Sequence, residues 1–130
     1  MRTLLPPGWP RPKGYSNGIS ASGRLIVTAG VVGWNAQEQF TDDTLAGQFA
    51  QALRNIIAIL SEGGAGPEHL VRMTCYVTSI DAYTASLGEI GAAWKQAIGA
   101  HYPAMALVEV VRLVEPQALV EIEATAVVPA

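Results

Sequence analysis

The segment Val120-Glu121-Ile122-Glu123-Ala124-Thr125-Ala126-Val127 decides the fold, because apolar side chains alternate with polar ones along its whole length. A period of two places successive side chains on opposite faces of a β-strand. We therefore predict a strand over 118–128 with one face on a core. The other face, which carries Glu121 and Glu123, is exposed or lines a cleft.

Further strands are predicted upstream of this segment. Residues 71–78 show the same alternation, with β-branched and aromatic side chains. Apolar segments at 18–21 and 24–29 predict two strands joined by a hairpin turn at Ser22-Gly23, where glycine supplies a positive φ. Another apolar segment, 105–113, predicts the strand that precedes the last one.

Two helices are predicted between these strands. In the first, apolar side chains recur at spacings of three and four, namely Leu45, Phe49, Leu53, Ile56 and Leu60. Asp42 or Asp43 is expected to cap its start, and Gly63-Gly64 marks its end. The second helix is predicted over about 81–98, with Asp81 as its cap.

The element order ββαβαββ predicts an α+β fold in which a mixed sheet carries both helices on one face. Residues 1–130 are interpreted as one domain, and the proline-rich residues 1–14 as an N-terminal coil. A single helix layer leaves the other sheet face bare, and an exposed apolar sheet aggregates. We therefore expect copies of the chain to cover that face.

Composition excludes several classes of function. The formal charge of −3, with eight scattered Lys and Arg, provides no basic surface for nucleic acid. No apolar run approaches the ~20 residues that cross a bilayer, so no membrane role is expected. The single cysteine, Cys75, cannot form an intrachain disulfide, and we expect a cytoplasmic protein. His69 and His101 form no recognisable metal set, and we predict neither a metal nor a cofactor.

Several motifs resemble the RidA/YjgF family, also named endoribonuclease L-PSP. The motifs that carry the resemblance are Lys13-Gly14-Tyr15-Ser16, Ala29-Gly30-Val31, Leu53-Arg54-Asn55, Tyr76-Val77-Thr78 and the closing Val120–Val127. The resemblance implies a chorismate-mutase-like fold, a homotrimer with clefts at the subunit interfaces, and hydrolysis of enamines or imines with release of ammonia. The ribonuclease activity in the family's name is disfavoured by the acidic charge.

The resemblance also assigns roles to residues. It places a water-positioning carboxylate at Glu121 and a substrate-contacting phenol at Tyr15. The family's substrate-clamping arginine falls on Met105, its serine on Ala29 and an asparagine on Leu87, so the expected cleft is apolar. The remaining residues expected to line the cleft are Gly30, Val31 and Tyr102. Trp34 either packs over the mouth of the cleft or anchors its own loop.

Two functions stay open at this point. The first is a hydrolase or deaminase acting on an enamine, an imine or a related metabolite, such as an aminomuconate-type compound. The second is a non-catalytic trimer that binds a small molecule in the same cleft. An arginine from a neighbouring subunit could replace the missing clamp.

Three further side chains have alternative interpretations. Glu109 either enters the cleft or pairs with Arg112. His101 is either a plain loop residue or a group that exchanges protons. Cys75 is interpreted as a buried structural thiol rather than a nucleophile.

Overall fold

A computed structural model describes residues 1–130 as a mixed α+β fold with three α-helices. The strands are β1 (Arg2–Leu4), β2 (Gly18–Ser20), β3 (Arg24–Val27), β4 (Val31–Val32), β5 (Leu70–Val77), β6 (Ala104–Glu109) and β7 (Val120–Val128). The helices are α1 (Leu45–Glu62), α2 (Ile80–Ala85) and α3 (Leu87–Ala97), with a short 3-10 helix at Pro67–His69 before β5. None of these helices combines the length and the apolar composition that a membrane span requires.

The main sheet has five strands and is organised around β7. Its path runs β3-β7-β5-β6, and β4 also pairs with β7. The pairs with β7 are antiparallel, whereas β5 and β6 are parallel, which confirms the predicted mixed sheet. Val120, Ile122 and Ala126 of β7 are fully buried, and Glu121 and Glu123 point to the other face. The alternation that predicted this strand therefore describes it correctly.

Helix α1 covers one face of this sheet. Its buried side chains, Phe49, Leu53, Ile56 and Leu60, are those that the helical spacing selected. They pack against Met73, Cys75 and Ile122 of the sheet in one continuous core. The N-cap, however, is Thr44, whose hydroxyl accepts a hydrogen bond from the Gly47 N–H at 3.1 Å, rather than Asp42 or Asp43.

Asp42 supports this cap indirectly, by accepting hydrogen bonds from Thr44. Its carboxylate accepts hydrogen bonds from the hydroxyl and the backbone N–H of Thr44, at 2.6 and 2.8 Å. The bond from the hydroxyl is the larger cause that lowers the pKa of Asp42. At the other end, Gly63 caps the helix and Gly64 takes a φ of +76°, as the glycine pair predicted.

The prediction of a single second helix over 81–98 is wrong, because the helix is interrupted at Ser86 and forms two helices, α2 and α3. The Ser86 hydroxyl donates to the Ala82 carbonyl at 2.8 Å, and the residue leaves helical geometry with φ −113° and ψ 15°. The cap of α2 is Ser79, not Asp81, since the Ser79 hydroxyl accepts from the Ala82 N–H. Glu109 adds a second cap by accepting from the Ile80 N–H at 2.9 Å.

The N-terminal predictions also need correction. Residues 2–4 are not coil but form β1, which pairs with β2. Consequently the predicted hairpin at Ser22-Gly23 does not form, and β3 pairs with β7 instead. Gly23 does take the predicted positive φ, +146°, although not in a hairpin turn. A Cβ there would also lie 2.1 Å from the Val128 carbonyl oxygen, so only glycine permits this close approach of the chain to β7.

The connection before β7 is held by one buried amide. Gln48 is 1% exposed; its Nε2 donates to the carbonyls of Asp42 and Gln117, and its Oε1 accepts from the Leu119 N–H. These bonds fasten the end of the loop over residues 110–119. The preceding strand ends at Glu109 rather than 113. The last strand begins at Val120 rather than 118. The two-residue strand β4 was not predicted, since two residues show no periodicity.

The sheet face opposite α1, here called the open face, has no cover within the chain. Leu25 and Val27 of β3 are each 64% exposed there, and Val108 of β6 is 41% exposed. Tyr76 donates a hydrogen bond to Glu123 on the same face at 2.7 Å, which raises the pKa of the Tyr76 hydroxyl. The open face thus combines exposed apolar side chains with a few charged ones.

Candidate functional site

A cleft of about 560 Å³ lies between the segment before β2, helix α3 and strand β6. Ten of its thirteen lining residues are hydrophobic, including the aromatic side chains of Tyr15, Phe49, Tyr83, Trp94 and Tyr102. The volume falls within the range typical of small-molecule sites. We call this depression the aromatic cleft.

Ser16 positions Tyr15 at the edge of the aromatic cleft. Its backbone N–H donates to the Pro103 carbonyl at 3.0 Å, and its hydroxyl donates to the Tyr102 carbonyl at 2.5 Å. It also forms an isolated parallel bridge with Ala104. Ser16 is itself buried, so the segment that carries Tyr15 is fastened beside the start of β6.

The loop before β6 is fastened in turn to the helices and to β5. The ring of Tyr102 stacks on Trp94 with centroids 6.1 Å apart and planes 6° from parallel. The Trp94 indole N–H donates to the His101 carbonyl at 3.2 Å. The imidazole Nε2 of His101 lies 2.6 Å from the Leu70 carbonyl, so this nitrogen carries the proton. His101 therefore anchors the loop, in agreement with the plain interpretation.

Met105 and Leu87 complete one wall of the aromatic cleft. Met105 pairs with the buried Met73 across the parallel β5–β6 ladder, which directs both side chains toward the helices. Leu87 is the first residue of α3 and is 52% exposed at the mouth. The structure thus brings together four of the predicted site residues, namely Tyr15, Leu87, Tyr102 and Met105.

The other predicted residues form a second group around Glu121. A Cβ on Gly30 would lie 2.6 Å from Oε2 of Glu121, so the carboxylate rests directly on the glycine. The neighbouring strand β4 pairs Val31 and Val32 with Ile122 and Glu121. We call the residues from Ala29 to Trp34, together with Glu121, the glutamate group.

Asn55 holds the glutamate group in place. Its Nδ2 donates to the carbonyls of Val32 and Trp34, at 3.0 and 2.8 Å. The indole of Trp34 lies against Phe40 with centroids 5.7 Å apart, so Trp34 packs within its own loop and does not line the aromatic cleft. Ala29 is exposed and precedes Gly30 without contacting the aromatic cleft.

Met105 of the aromatic cleft and Glu121 of the glutamate group lie on opposite faces of the sheet. Met105 faces the helices, whereas Glu121 projects to the open face, because its neighbours Val120 and Ile122 point into the core. Strand β5 also separates β6 from β7. Within one chain, therefore, Tyr15 and Glu121 do not share a site.

No arginine lines the aromatic cleft; its one charged lining residue is Lys13. Arg72 is exposed on β5 on the side opposite Met73, and Arg112 borders a separate depression in the 110–119 loop. Glu109 neither enters the cleft nor pairs with Arg112, since its carboxylate caps α2. The pairing of Glu109 with Arg112 is therefore wrong. Its partner is instead a backbone N–H at the start of α2, which has no acceptor within the helix.

Sequence reasoning missed three residues that build these groups. Ser16 and Asn55 belong to the motifs that carried the resemblance, but a motif alone does not tell which backbone carbonyls a side chain reaches. Lys13 precedes the tyrosine of the first motif and was not assigned any role. The feature that could have identified it is its positive charge, two residues before the tyrosine expected to contact substrate.

Cys75 is fully buried in β5, and burial raises its pKa to about 12, from 9.0. The thiolate fraction near neutral pH is then about a thousandfold lower than for a free cysteine. We expect no reaction of the native protein with a disulfide reagent at pH 8. One thiol per chain should react after unfolding in guanidinium. Rapid labelling of the native protein would show that Cys75 is accessible.

Comparison with known proteins agrees with the fold and the motifs. The sequence pattern of the family described as endoribonuclease L-PSP matches residues 10–128. A RutC family protein of Synechocystis is 33% identical over 123 residues, which cover 92% of this chain and 91% of that protein.

Solved structures give the same result. A Rid-family protein of unknown function from Yersinia pestis, YyfB, superposes with a TM-score of 0.84 at 32% identity and covers 98% of both chains. Rv2704 of Mycobacterium tuberculosis, a member of the YjgF/YER057c/UK114 family, superposes with a TM-score of 0.66 at 38% identity over 89% of this chain and 88% of that one. The chain therefore belongs to the endoribonuclease L-PSP family, the family of the RidA, YjgF and RutC proteins.

Proposed function

We propose that the protein is a homotrimeric, chorismate-mutase-like hydrolase that deaminates an enamine, an imine or a related small metabolite, and that it falls in an arginine-less subgroup of its family. The observation that carries the proposal is the division of the site. One chain presents Tyr15 in an apolar cleft at the β6 edge, and presents Glu121 on the opposite sheet face.

Assembly is what would join the two groups. The open face has exposed apolar side chains, Leu25 and Val27, that a second copy can bury. Strand β6 is an edge strand, and the aromatic cleft lies beside it. In a cyclic trimer, the β6 edge of each copy lies over the open face of the next copy, so the aromatic cleft of one subunit receives Glu121 of its neighbour.

The chemistry of such a composite site is hydrolysis. The carboxylate of Glu121 accepts a proton from a water molecule, whose oxygen attacks the carbon of the C=N bond. The resulting carbinolamine then expels ammonia, after proton transfer to nitrogen, and leaves a carbonyl product. Tyr15 contacts the substrate from the other wall. No cofactor is needed, because no electrons are transferred.

The apolar lining favours a larger substrate than the smallest amino-acid-derived imines. A small imino acid exposes mostly its carboxylate, which binds best to a bidentate arginine. Met105 and Leu87 offer dispersion contacts instead. Substrates of the aminomuconate type also carry carboxylates, but their longer conjugated chain adds dispersion contacts with such walls that a small imino acid lacks. A cytoplasmic location follows from the reducing compartment that a lone cysteine favours.

A second candidate is a trimer that binds a small molecule in the same cleft without turnover. The observation that favours it is the absence of any carboxylate or arginine among the residues that line the cleft in one chain. Since Glu121 has no role in this alternative, its removal should change nothing in ligand binding.

Replacing Glu121 by glutamine separates the two candidates. We expect ammonia release from 2-aminomuconate to fall at least about 100-fold in kcat, the usual contribution of a general base, with substrate affinity within twofold of the wild type. The matched control is Glu123→Gln, which removes an acid from the same strand face. A wild-type protein that binds 2-aminomuconate without releasing ammonia supports the binding trimer and contradicts the hydrolase.

A further inference from the structure

We propose that Lys13 is the charge-recognising residue of the aromatic cleft, and that the cleft takes a flat aromatic or conjugated carboxylate. The inference rests on the proposed function only in that the cleft binds a small molecule. It adds the class of that molecule and the residue that selects it, and it requires neither turnover nor Glu121.

The shape of the ligand follows from the walls. Tyr15, Trp94 and Tyr102 all line the cleft, and the last two stack in nearly parallel planes. Stacked rings present a flat apolar surface, on which a planar π-system packs with more contact than a branched chain. The exposed fractions of Tyr15 and Tyr102, 43% and 39%, leave ring surface free for such a ligand.

The charge of the ligand follows from the lining residues. Among the thirteen that one chain supplies, Lys13 alone is charged. In the proposed trimer, Glu121 of the neighbouring subunit would be the one acid added to the cleft, and it is assigned to water rather than to the ligand carboxylate. The structure contains no ion pair that involves Lys13, so its ammonium is free to meet a ligand. A cation at one end of an otherwise apolar cleft favours an anion whose charge lies at one end of a flat body.

Lys13 does not lie on the same element as Met105, the β6 residue on which the family's clamping arginine falls. Lys13 lies two residues before Tyr15, on the segment that Ser16 fastens to Pro103. The cation therefore belongs to the N-terminal segment, whereas Met105 belongs to β6. A long, flexible lysine makes a point contact rather than a bidentate clamp, so it suits a ligand that is held mainly by its ring.

Titration calorimetry with the full chain tests this inference. The probes are 2-naphthoate and its neutral analogue 2-naphthamide, measured against the wild type, Lys13→Gln, Lys13→Arg and Lys95→Gln. Lys95 is the other lysine of the chain and lies exposed on α3, which makes it a matched control. We expect naphthoate to bind about fivefold tighter than naphthamide to the wild type, since an exposed cation contributes modestly.

The variants test whether Lys13 is the source of the preference for naphthoate. Lys13→Gln should bind both probes with equal affinity, Lys13→Arg should keep the preference, and Lys95→Gln should behave as the wild type. An unchanged preference in Lys13→Gln overturns the inference, and so does the absence of any preference in the wild type. Failure of both probes to bind also overturns the inference. That result leaves the proposed hydrolase activity untouched, because the hydrolase is tested separately by the loss of turnover in Glu121→Gln. Binding of naphthamide with no turnover of 2-aminomuconate would instead remove the hydrolase and leave the cleft as a binding site.

Discussion

Replacement of Val27 by aspartate is expected to convert the proposed trimer into monomers of 13.7 kDa. Val27 is 64% exposed on β3, at the open face. In one chain the new carboxylate stays in water, so the fold should persist. In an assembly that buries the open face, each aspartate lacks a partner, and an unpaired buried charge costs several kcal/mol per subunit. Light scattering after size-exclusion chromatography measures the mass directly.

The control for this substitution is Ala92→Asp, which places the same carboxylate on the exposed side of α3. It should leave the mass at three times that of the monomer, the value expected of the wild type if the proposed trimer forms. The Val27→Asp monomers should also lose ammonia release, because Glu121 and the aromatic cleft of one chain lie on opposite sheet faces. A Val27→Asp protein that stays trimeric would show that another surface makes the interface.

The sheet and the first helix could be predicted because burial imposes a regular period on them. The alternation along 120–127 and the three-four spacing from Leu45 to Leu60 each reflect one buried face. The break at Ser86 could not be predicted in this way, since the apolar spacing continues through it from Tyr83 to Leu87. The pairing of β3 with β7 depends on contacts about a hundred residues apart along the sequence, which the local glycine at position 23 does not reveal.

The candidate site was predicted as a set of residue types but not as an arrangement. The motifs identified Tyr15, Met105 and Glu121, yet only strand order and register place Met105 and Glu121 on opposite faces. The supporting residues Ser16 and Asn55 act through backbone carbonyls, and any residue type supplies those. Sequence patterns therefore select the side chains, whereas the carbonyls that hold them appear only in three dimensions.

Substitution of Met105 by arginine is expected to create activity on 2-aminoacrylate, the smallest substrate of the kind considered. Met105 is half-buried beside Tyr15 in the aromatic cleft, so a long side chain can reach the ligand space without entering the core. A guanidinium there can bind the substrate carboxylate through two charge-assisted hydrogen bonds. At about 1.5–3 kcal/mol for each bond, we expect ammonia release to increase about a thousandfold in kcat/KM.

The comparison protein for this experiment is Met105→Leu, which keeps an apolar side chain of similar volume and should match the wild type. Ammonia release is followed with 2-aminoacrylate generated in situ, on samples whose mass and Tm agree with the wild type. Equal activity of the unmodified chain and the arginine variant would mean that the clamp is dispensable, and that the substrate carboxylate is held elsewhere in the cleft. Activity in the variant alone would mean that the chain retains the hydrolytic apparatus and that the absence of an arginine at position 105 prevents activity on 2-aminoacrylate.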